Sequence, residues 1–285
     1  MTDTIPQHIG VLGGGRMGAG IAHAFLVAGA AHVTIVEIND DAAQAAADRV
    51  ASDLRSSLDR GKISGDLTRW TKNLKVSTDY AAFSDCSLVV EAVPEKWDIK
   101  VSSLQRAEAQ LTDAAWLASN TSSMSITELG GTLQRPERFC GLHFFNPVPA
   151  SKLVEVVLAD ETSTELEAQA RSWVEALGKT PVVVNDAPGF ASSRLGVAIG
   201  LEAIRMVEEG VASAEDIDNA MVLGYKFPIG PLALTDIVGL DVRLGIAEYL
   251  HSTLGDRFAP PQLMRDMVTR GELGRKSGKG FYTYE

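Results

Sequence analysis

The sequence has 285 residues, of which 45% are apolar, and a chain of this length usually divides into two domains. A formal net charge of -11, with no cluster of Lys and Arg, argues against binding to nucleic acid or to an anionic membrane. The only two cysteines, Cys86 and Cys140, have no paired spacing, so neither a disulfide framework nor a metal site is predicted. With neither a basic leader nor an apolar run approaching ~18 residues, we expect a cytoplasmic protein.

Short apolar runs alternate with longer amphipathic segments in the first half of the chain. The pattern predicts a helix after the first strand, a second helix over residues 40–60, and strands at HIGVLG, HVTIVEI, LKVST, SLVVEAV, AWLASN, RFCGLHFF, LVEVV and PVVVN. Strands of a parallel sheet are buried on both faces and therefore read as continuously apolar. We predict an α/β fold with a Rossmann-type, doubly wound, mostly parallel sheet.

The pattern changes after the segment NDAPGF, and no further strand is predicted. Helices are expected at 191–209, 213–223, 232–238, 242–254 and 261–270. Ser213 followed by Asp216 resembles a capping box with Asp in place of Glu. We therefore expect two domains, residues 1–186 with the sheet and an all-helical domain at residues 187–285.

A glycine-rich loop directly follows the first strand and opens a helix. Gly13 permits a tight turn, Gly15 lets the backbone approach a pyrophosphate, and Gly18 allows the helix to pack closely on the strand. Glu37 ends the next strand, where a carboxylate accepts hydrogen bonds from the adenosine ribose. It is followed by INDD, which would repel a 2′-phosphate, so NAD is favoured over NADP. The alternatives are a glycine turn without a ligand and a solvated carboxylate at a strand end.

Six motifs in fixed order carry a resemblance over nearly the whole chain: GGGRMGAGIAHAF, VVEAVPEKWDIK, ASNTSS, GLHFFNPVPASKLVEVV, DAPGF and GRKSGKGFYTY. They resemble the 3-hydroxyacyl-CoA dehydrogenases of fatty-acid and butanoate breakdown, including the 3-hydroxybutyryl-CoA dehydrogenases. The resemblance implies reversible oxidation of a short-chain (S)-3-hydroxyacyl-CoA to the 3-oxoacyl-CoA, with NAD as cofactor. The alternatives are the same chemistry on a carrier-protein thioester or a free hydroxy acid, and a dinucleotide-binding module without catalysis.

In the resembling family the histidine of HFFNPVP is the catalytic base, and the position of Glu155 orients it. His143 would take the proton of the 3-hydroxyl group, and Glu155 would fix the imidazole tautomer and stabilise the imidazolium. An imidazole suits both directions of a redox reaction near neutral pH. The alternatives are a buried histidine bonded to a carbonyl group and a structural ion pair at Glu155.

Two residues match family positions around the reacting atoms, and a third lies beside them. Ser122 matches the serine that bonds the substrate near its reacting oxygens, and Asn146 matches a contact to the nicotinamide side of NAD. Asn120 lies in the same region and is also expected to bind the cofactor. Ser and Asn also cap turns and strand ends by local hydrogen bonds, and this role needs no ligand.

Further positions are assigned to the cofactor by the resemblance. They comprise two residues of the glycine loop, two residues of PEKWDIK and one lysine near the C-terminus: Arg16, Met17, Glu95, Lys100 and Lys276. A lysine is more often a solvated surface charge, which is the alternative for both lysines.

Coenzyme A carries phosphates, so an acidic protein must concentrate basic groups where it binds. Arg60 and Lys62 follow the second predicted helix, and Arg60 matches a family lysine used for coenzyme A. The alternative is that these cations complement the negative end of the helix.

The chain departs from the family pattern after PGF. Ser193 stands where the family usually has an asparagine that contacts the active site. A hydroxyl group is shorter than an amide and has one donor instead of two, so the contact would be lost, bridged by water, or made after a small main-chain shift. We also expect the helical domain to form a homodimer, because a second copy would bury more of its apolar surface.

Overall fold

The computed structural model describes residues 5–284. The chain divides after Asp186 into two compact units, Met1–Asp186 and Ala187–Glu285, which are considered separately.

The first unit contains one sheet of eight strands, in the order β3-β2-β1-β4-β5-β6-β7-β8. All pairs are parallel except β6 with β7, which are antiparallel. The strands are β1 His8–Leu12, β2 His32–Val36, β3 Leu74–Ser77, β4 Leu88–Glu91, β5 Trp116–Ser119, β6 Phe139–Phe144, β7 Leu153–Leu158 and β8 Thr180–Asn185. The predicted Rossmann-type, mostly parallel fold is confirmed, and each of the eight predicted segments contains a strand.

Burial explains why the strands could be found from apolar runs. Every residue of β4, β5 and β6 is buried, as expected when a central strand is covered on both faces. The helices of this unit are α1 Arg16–Ala28, α2 Asp40–Asp59, α3 Leu67–Thr71, α4 Trp97–Glu108, α5 Ile126–Gly130 and α6 Thr164–Ala176. Helix α2 ends one residue before the predicted limit, because Arg60 is its C-cap.

The second unit is helical, as predicted. Its helices are α7 Ser192–Glu208, α8 Ala214–Asn219, α9 Pro231–Val238, α10 Leu240–Leu254 and α11 Gln262–Thr269. The cap of α8 differs from the predicted capping box. The Ser213 hydroxyl accepts the N–H of Asp216 at 3.1 Å and donates to the Asp216 carboxylate at 2.7 Å. An aspartate is one methylene shorter than the glutamate of that motif, and here it meets the capping hydroxyl group.

The strand order changes direction between β1 and β4, so that β2 and β3 lie on one side and β5 to β8 on the other. Loops that leave the carboxyl ends of β1 and β4 therefore diverge and open a crevice at this edge of the sheet, where such folds bind their ligands. Among residues 5–284, no helix has both the length and the apolar character needed to cross a membrane.

Candidate active site

A cavity of about 340 Å³ lies at the carboxyl edge of the sheet, within the first unit. It brings together seven residues that the sequence singles out, from α1, the loop between β4 and α4, α4 itself, and the ends of β5 and β6 with the loops that follow them: Met17, Glu95, Lys100, Asn120, Ser122, His143 and Asn146. Four more lining residues were not predicted: Ala92, Val93, Phe144 and Phe145.

His143 and Glu155 form a buried pair across the antiparallel strands β6 and β7. The two residues are register partners, so their side chains project from the same face of the sheet. The His143 Nδ1 atom lies 2.8 Å from the Glu155 Oε2 atom, and Glu155 is fully buried. The ring of Phe145 packs against His143 with centroids 4.5 Å apart, which restricts the imidazole from a second side. A ring held in this way has a fixed orientation, and its Nδ1 is committed to the carboxylate.

The glycine loop has the form that a dinucleotide requires. Gly13 has φ of 91°, a left-handed conformation that favours glycine. A Cβ atom on Gly18 would lie 1.8 Å from the carbonyl oxygen of Gly13, whereas one on Gly15 would meet nothing within 4 Å. The backbone at Gly15 is therefore open to a ligand, while Gly18 is closed by packing, which is the division of roles that the motif predicts.

Glu37 lies at the mouth of this loop, as expected from its place after β2. Its Oε1 atom accepts the N–H of Gly14 at 2.5 Å, and its Oε2 atom accepts the N–H of Ile38 at 3.0 Å. The acidic residues Asp40 and Asp41 begin α2 directly afterwards. The negative charge that argues against a 2′-phosphate is thus concentrated at one point.

Hydrogen bonds explain the positions of the polar residues after β5. The side-chain Oδ1 atom of Asn120 accepts the N–H of Phe144 at 2.8 Å. This side chain therefore joins the ends of β5 and β6 as well as lining the cavity. Ser122 is exposed in the cavity, and its backbone N–H donates to Glu95 at 3.2 Å. Asn120 therefore bonds locally between two strand ends, which is the role that needs no ligand.

Lys100 is buried and ion-paired, unlike an ordinary surface lysine. Its Nζ atom lies 2.8 Å from Glu91 and 3.1 Å from Glu95. Glu91, which is completely buried at the end of β4, was not predicted from the sequence. The available signal was a carboxylate closing an apolar strand, followed by a lysine in the next helix.

Ten predicted residues are not among those that line the cavity. Six of them belong to the glycine loop, the start of α1, the residue after β2 and the partner of His143: Gly13, Gly15, Arg16, Gly18, Glu37 and Glu155. The other four lie elsewhere. Arg60 and Lys62 are exposed beyond the end of α2. Ser193 and Lys276 belong to the second unit, where Lys276 donates to Asp241 at 2.5 and 2.6 Å. Their expected roles at the site stay predictions.

Comparison with known proteins gives two family matches that together span most of the chain. Residues 8–187 match the NAD binding domain of 3-hydroxyacyl-CoA dehydrogenase, and residues 189–284 match the C-terminal domain of 3-hydroxyacyl-CoA dehydrogenase. The chain belongs to the 3-hydroxyacyl-CoA dehydrogenase family. The cavity, the glycine loop and Glu37 all lie within the NAD-binding domain of this family member.

Individual relatives extend the similarity over the full length. The chain is 41% identical to the probable 3-hydroxybutyryl-CoA dehydrogenase of Bacillus subtilis, over 98% of each protein. It is 40% identical to the 3-hydroxybutyryl-CoA dehydrogenase of Mycobacterium tuberculosis, over 100% of each. The crystal structure of (S)-3-hydroxybutyryl-CoA dehydrogenase from Ralstonia eutropha has a TM-score of 0.93 and 40% identity, covering 99% of this chain and 100% of that one. This dehydrogenase family member therefore shares both domains with these relatives.

Proposed function

We propose that the protein oxidises short-chain (S)-3-hydroxyacyl-CoA thioesters, such as 3-hydroxybutanoyl-CoA, reversibly to 3-oxoacyl-CoA with NAD. The observation that carries this proposal is the buried His143–Glu155 pair, which lies at a cavity shared with Ser122 and the start of α1. The short chain length is supported by the names of relatives that are about 40% identical, and it extends beyond family membership.

The proposed chemistry needs one base and no covalent intermediate. Because Nδ1 of His143 bonds to Glu155, Nε2 is the atom that takes the proton of the substrate 3-hydroxyl group. NAD, when bound at the glycine loop, would supply the acceptor for the hydride of C3. The Glu155 carboxylate stabilises the imidazolium as it forms, and in the reverse direction Nε2 returns the proton to the 3-oxo oxygen.

The other predicted residues have binding roles in this proposal. The hydroxyl group of Ser122 bonds the substrate oxygen, and Asn146 and Met17 face the nicotinamide side of the cofactor site, in keeping with their place in the cavity. Arg60 and Lys62 are exposed cations that can meet the phosphates of coenzyme A. Lys276 and Ser193 complete the set by resemblance alone.

The test is oxidation of NADH with acetoacetyl-CoA by the purified protein and by His143→Gln. We expect the substitution to lower kcat by roughly 100- to 10,000-fold, as for loss of a general acid–base group, while the Kd for NADH stays within about twofold. The matched control is His32→Gln, since His32 is an exposed histidine of the same unit. A wild-type protein that binds NADH without reducing any 3-oxoacyl-CoA would refute the proposal.

The same assay separates the alternative substrates. Acetoacetyl-CoA and its pantetheine analogue share the thioester and differ in the carrier, whereas the free acid lacks the thioester, so their relative kcat/KM values report what the protein recognises. A series of 3-oxoacyl-CoA chain lengths then defines the preferred acyl group.

The protein is further proposed to be a homodimer through its helical unit. Seven of the ten large apolar side chains that are exposed within residues 5–284 lie in this unit: Leu195, Val211, Leu223, Tyr225, Ile237, Val238 and Val242. Exposed apolar surface of this kind favours a protein interface.

A further inference from the structure

A cluster of charged residues, in which Glu91 and Lys100 are buried and Glu95 is partly exposed, connects β4 and α4 to the turn that carries Ser122. At its centre, Lys100 is 1% exposed, and its Nζ atom lies 2.8 Å from Glu91 Oε1, 3.1 Å from Glu95 Oε2 and 3.3 Å from the Val93 carbonyl oxygen. An ammonium group has three donors, and three protein acceptors surround this one. Lys100 is therefore engaged by the protein itself, although the resemblance assigns it to the cofactor.

Glu91 fixes the position of this lysine. One carboxylate oxygen accepts the N–H of Val93 at 2.7 Å as well as Lys100, and the other accepts the hydroxyl of Ser119 at 2.6 Å. Both oxygens of this fully buried carboxylate thus have donors within the sheet and its first loop. Removing its charge would leave a buried cation with a single carboxylate partner, which is costly in the interior.

Glu95 divides its two oxygens between the lysine and the turn. Its Oε2 atom faces Lys100, whereas its Oε1 atom accepts the hydroxyl of Thr121, the N–H of Ser122 at 3.2 Å and the hydroxyl of Ser123 at 3.0 Å. Three consecutive residues of the turn thus bond to one atom.

The charge of Glu95 is maintained at neutral pH. Burial raises the pKa of this carboxyl group, but the charge of Lys100 and the hydrogen bonds from Thr121, Lys100 and Ser123 outweigh burial, so the pKa lies below its usual value. An ionised carboxylate accepts at both oxygens, whereas a glutamine presents an NH₂ group, a donor, at one of them. A glutamine at this position would therefore face either Lys100 or the turn with the wrong group.

We propose that Glu95 is a positioning residue that holds the turn carrying Ser122, and that Lys100 and Glu91 hold Glu95 in place. Glu91, to which the motifs assign no role, is the buried anchor of this connection. In this arrangement Glu95 acts on the substrate through the Ser122 turn. The inference rests on the proposed function, because Ser122 is taken as the residue that bonds the substrate oxygen.

A double-mutant cycle tests the connection between Glu95 and Ser122. We expect Glu95→Gln to lower kcat/KM for acetoacetyl-CoA by about 10- to 100-fold, the range for losing a hydrogen bond to a charged group. In the Ser122→Ala background the same substitution should lower kcat/KM by less than about threefold, because no hydroxyl group remains to be positioned. A merely structural role would give effects that multiply.

Glu91→Gln extends the test, with Glu108→Gln as its matched control. Glu108 is also buried in the first unit, where it accepts the N–H groups of Gln134 and Arg135 and pairs with Arg135, but it does not line the cavity. We expect Glu91→Gln to lower kcat/KM in the wild type. Added to the Glu95→Gln variant, the same substitution should not lower kcat/KM further. Glu108→Gln should change kcat/KM by less than about twofold at temperatures where the variant is folded.

The outcomes separate this inference from the proposed function. A wild-type protein without turnover contradicts both. Turnover by the wild type, combined with multiplicative effects of Glu95→Gln and Ser122→Ala, overturns this inference alone. If Glu91→Gln does not fold, the cycle at Glu95 decides, because that side chain is 38% exposed and tolerates substitution more easily.

Discussion

His23, on the buried face of α1, should make the first unit sensitive to acid. Its Nε2 atom lies 2.9 Å from the Ser57 hydroxyl oxygen, and its Nδ1 atom is buried with no hydrogen-bond partner in the described part of the chain. Burial, with smaller contributions from Lys179 and Lys62, lowers the pKa of His23 from 6.5 to about 4. In the folded chain the ring therefore stays neutral over a pH range in which the unfolded chain takes up a proton.

The size of the effect follows from this difference. The free energy of unfolding decreases as the pH is lowered wherever the unfolded state binds more protons than the folded state. For His23 this decrease occurs as the pH drops from about 6.5 towards about 4. At about 1.4 kcal/mol for each pH unit, full protonation of the unfolded state costs on the order of 3 kcal/mol. Between pH 7 and pH 5, we expect His23 to lower the free energy of unfolding by about 2 kcal/mol.

The measurement compares urea unfolding of the wild type and His23→Gln at pH 7 and pH 5. Glutamine keeps a polar group that can reach Ser57 but takes up no proton. Tryptophan fluorescence reports on the first unit, which contains His23, because all four tryptophans of the sequence precede residue 187. We expect the variant to gain about 2 kcal/mol over the wild type as pH falls, and the exposed-site control His32→Gln not to reproduce this gain. An equal stability difference at both pH values would refute the reasoning.

Two further predictions concern the glycine loop and the helical unit. Gly18→Ala, whose Cβ would meet the Gly13 carbonyl oxygen, should destabilise the first unit by more than about 2 kcal/mol in urea unfolding. Gly15→Ala should leave stability within about 0.5 kcal/mol but raise the Kd for NADH at least roughly tenfold, because the methyl group occupies the open side of the loop; unchanged binding would contradict this. Light scattering should give the mass of two chains for the wild type and a lower mass for Leu223→Asp or Tyr225→Ser; a wild-type monomer at micromolar concentration would dismiss the dimer.

The strands and the glycine loop could be predicted because their determinants are local. A fully buried strand reads as an apolar run, and the roles of Gly13 and Gly18 follow from backbone conformation and close packing. The pairing of His143 with Glu155 needed more than local pattern. The resemblance suggested it, and the antiparallel register of β6 and β7 explains why residues twelve apart are opposite each other.

The burial of Lys100 and His23 could not be predicted, because both depend on tertiary contacts. A lysine in the first turn of a helix is typical of the surface, and only the fold shows that Glu91 ends a strand directly beneath it. His23 lies among apolar residues of α1, but its isolation from water follows from the packing of α1 against α2. On α2, the Ser57 hydroxyl group forms a hydrogen bond with the His23 ring. In both cases the partner lies in a neighbouring element of structure, and no spacing along the chain identifies it.

Burial of a carboxylate does not by itself mark a catalytic residue in this chain. Within residues 5–284, five buried carboxylates each have donors, as the cost of burying a charge requires: Glu91, Glu108, Glu155, Asp218 and Asp236. Their partners distinguish them. Glu108, Asp218 and Asp236 accept backbone N–H groups that hold loops and helix ends, and Glu91 accepts from Lys100, a permanent cation at neutral pH in ordinary surroundings. Of these five carboxylates in the described part of the chain, only Glu155 is paired with an imidazole that lines the cavity, and imidazole is the side chain most often used as a general acid and base. The assignment of Glu155 as the orienting partner thus rests on what it bonds to and where that partner lies.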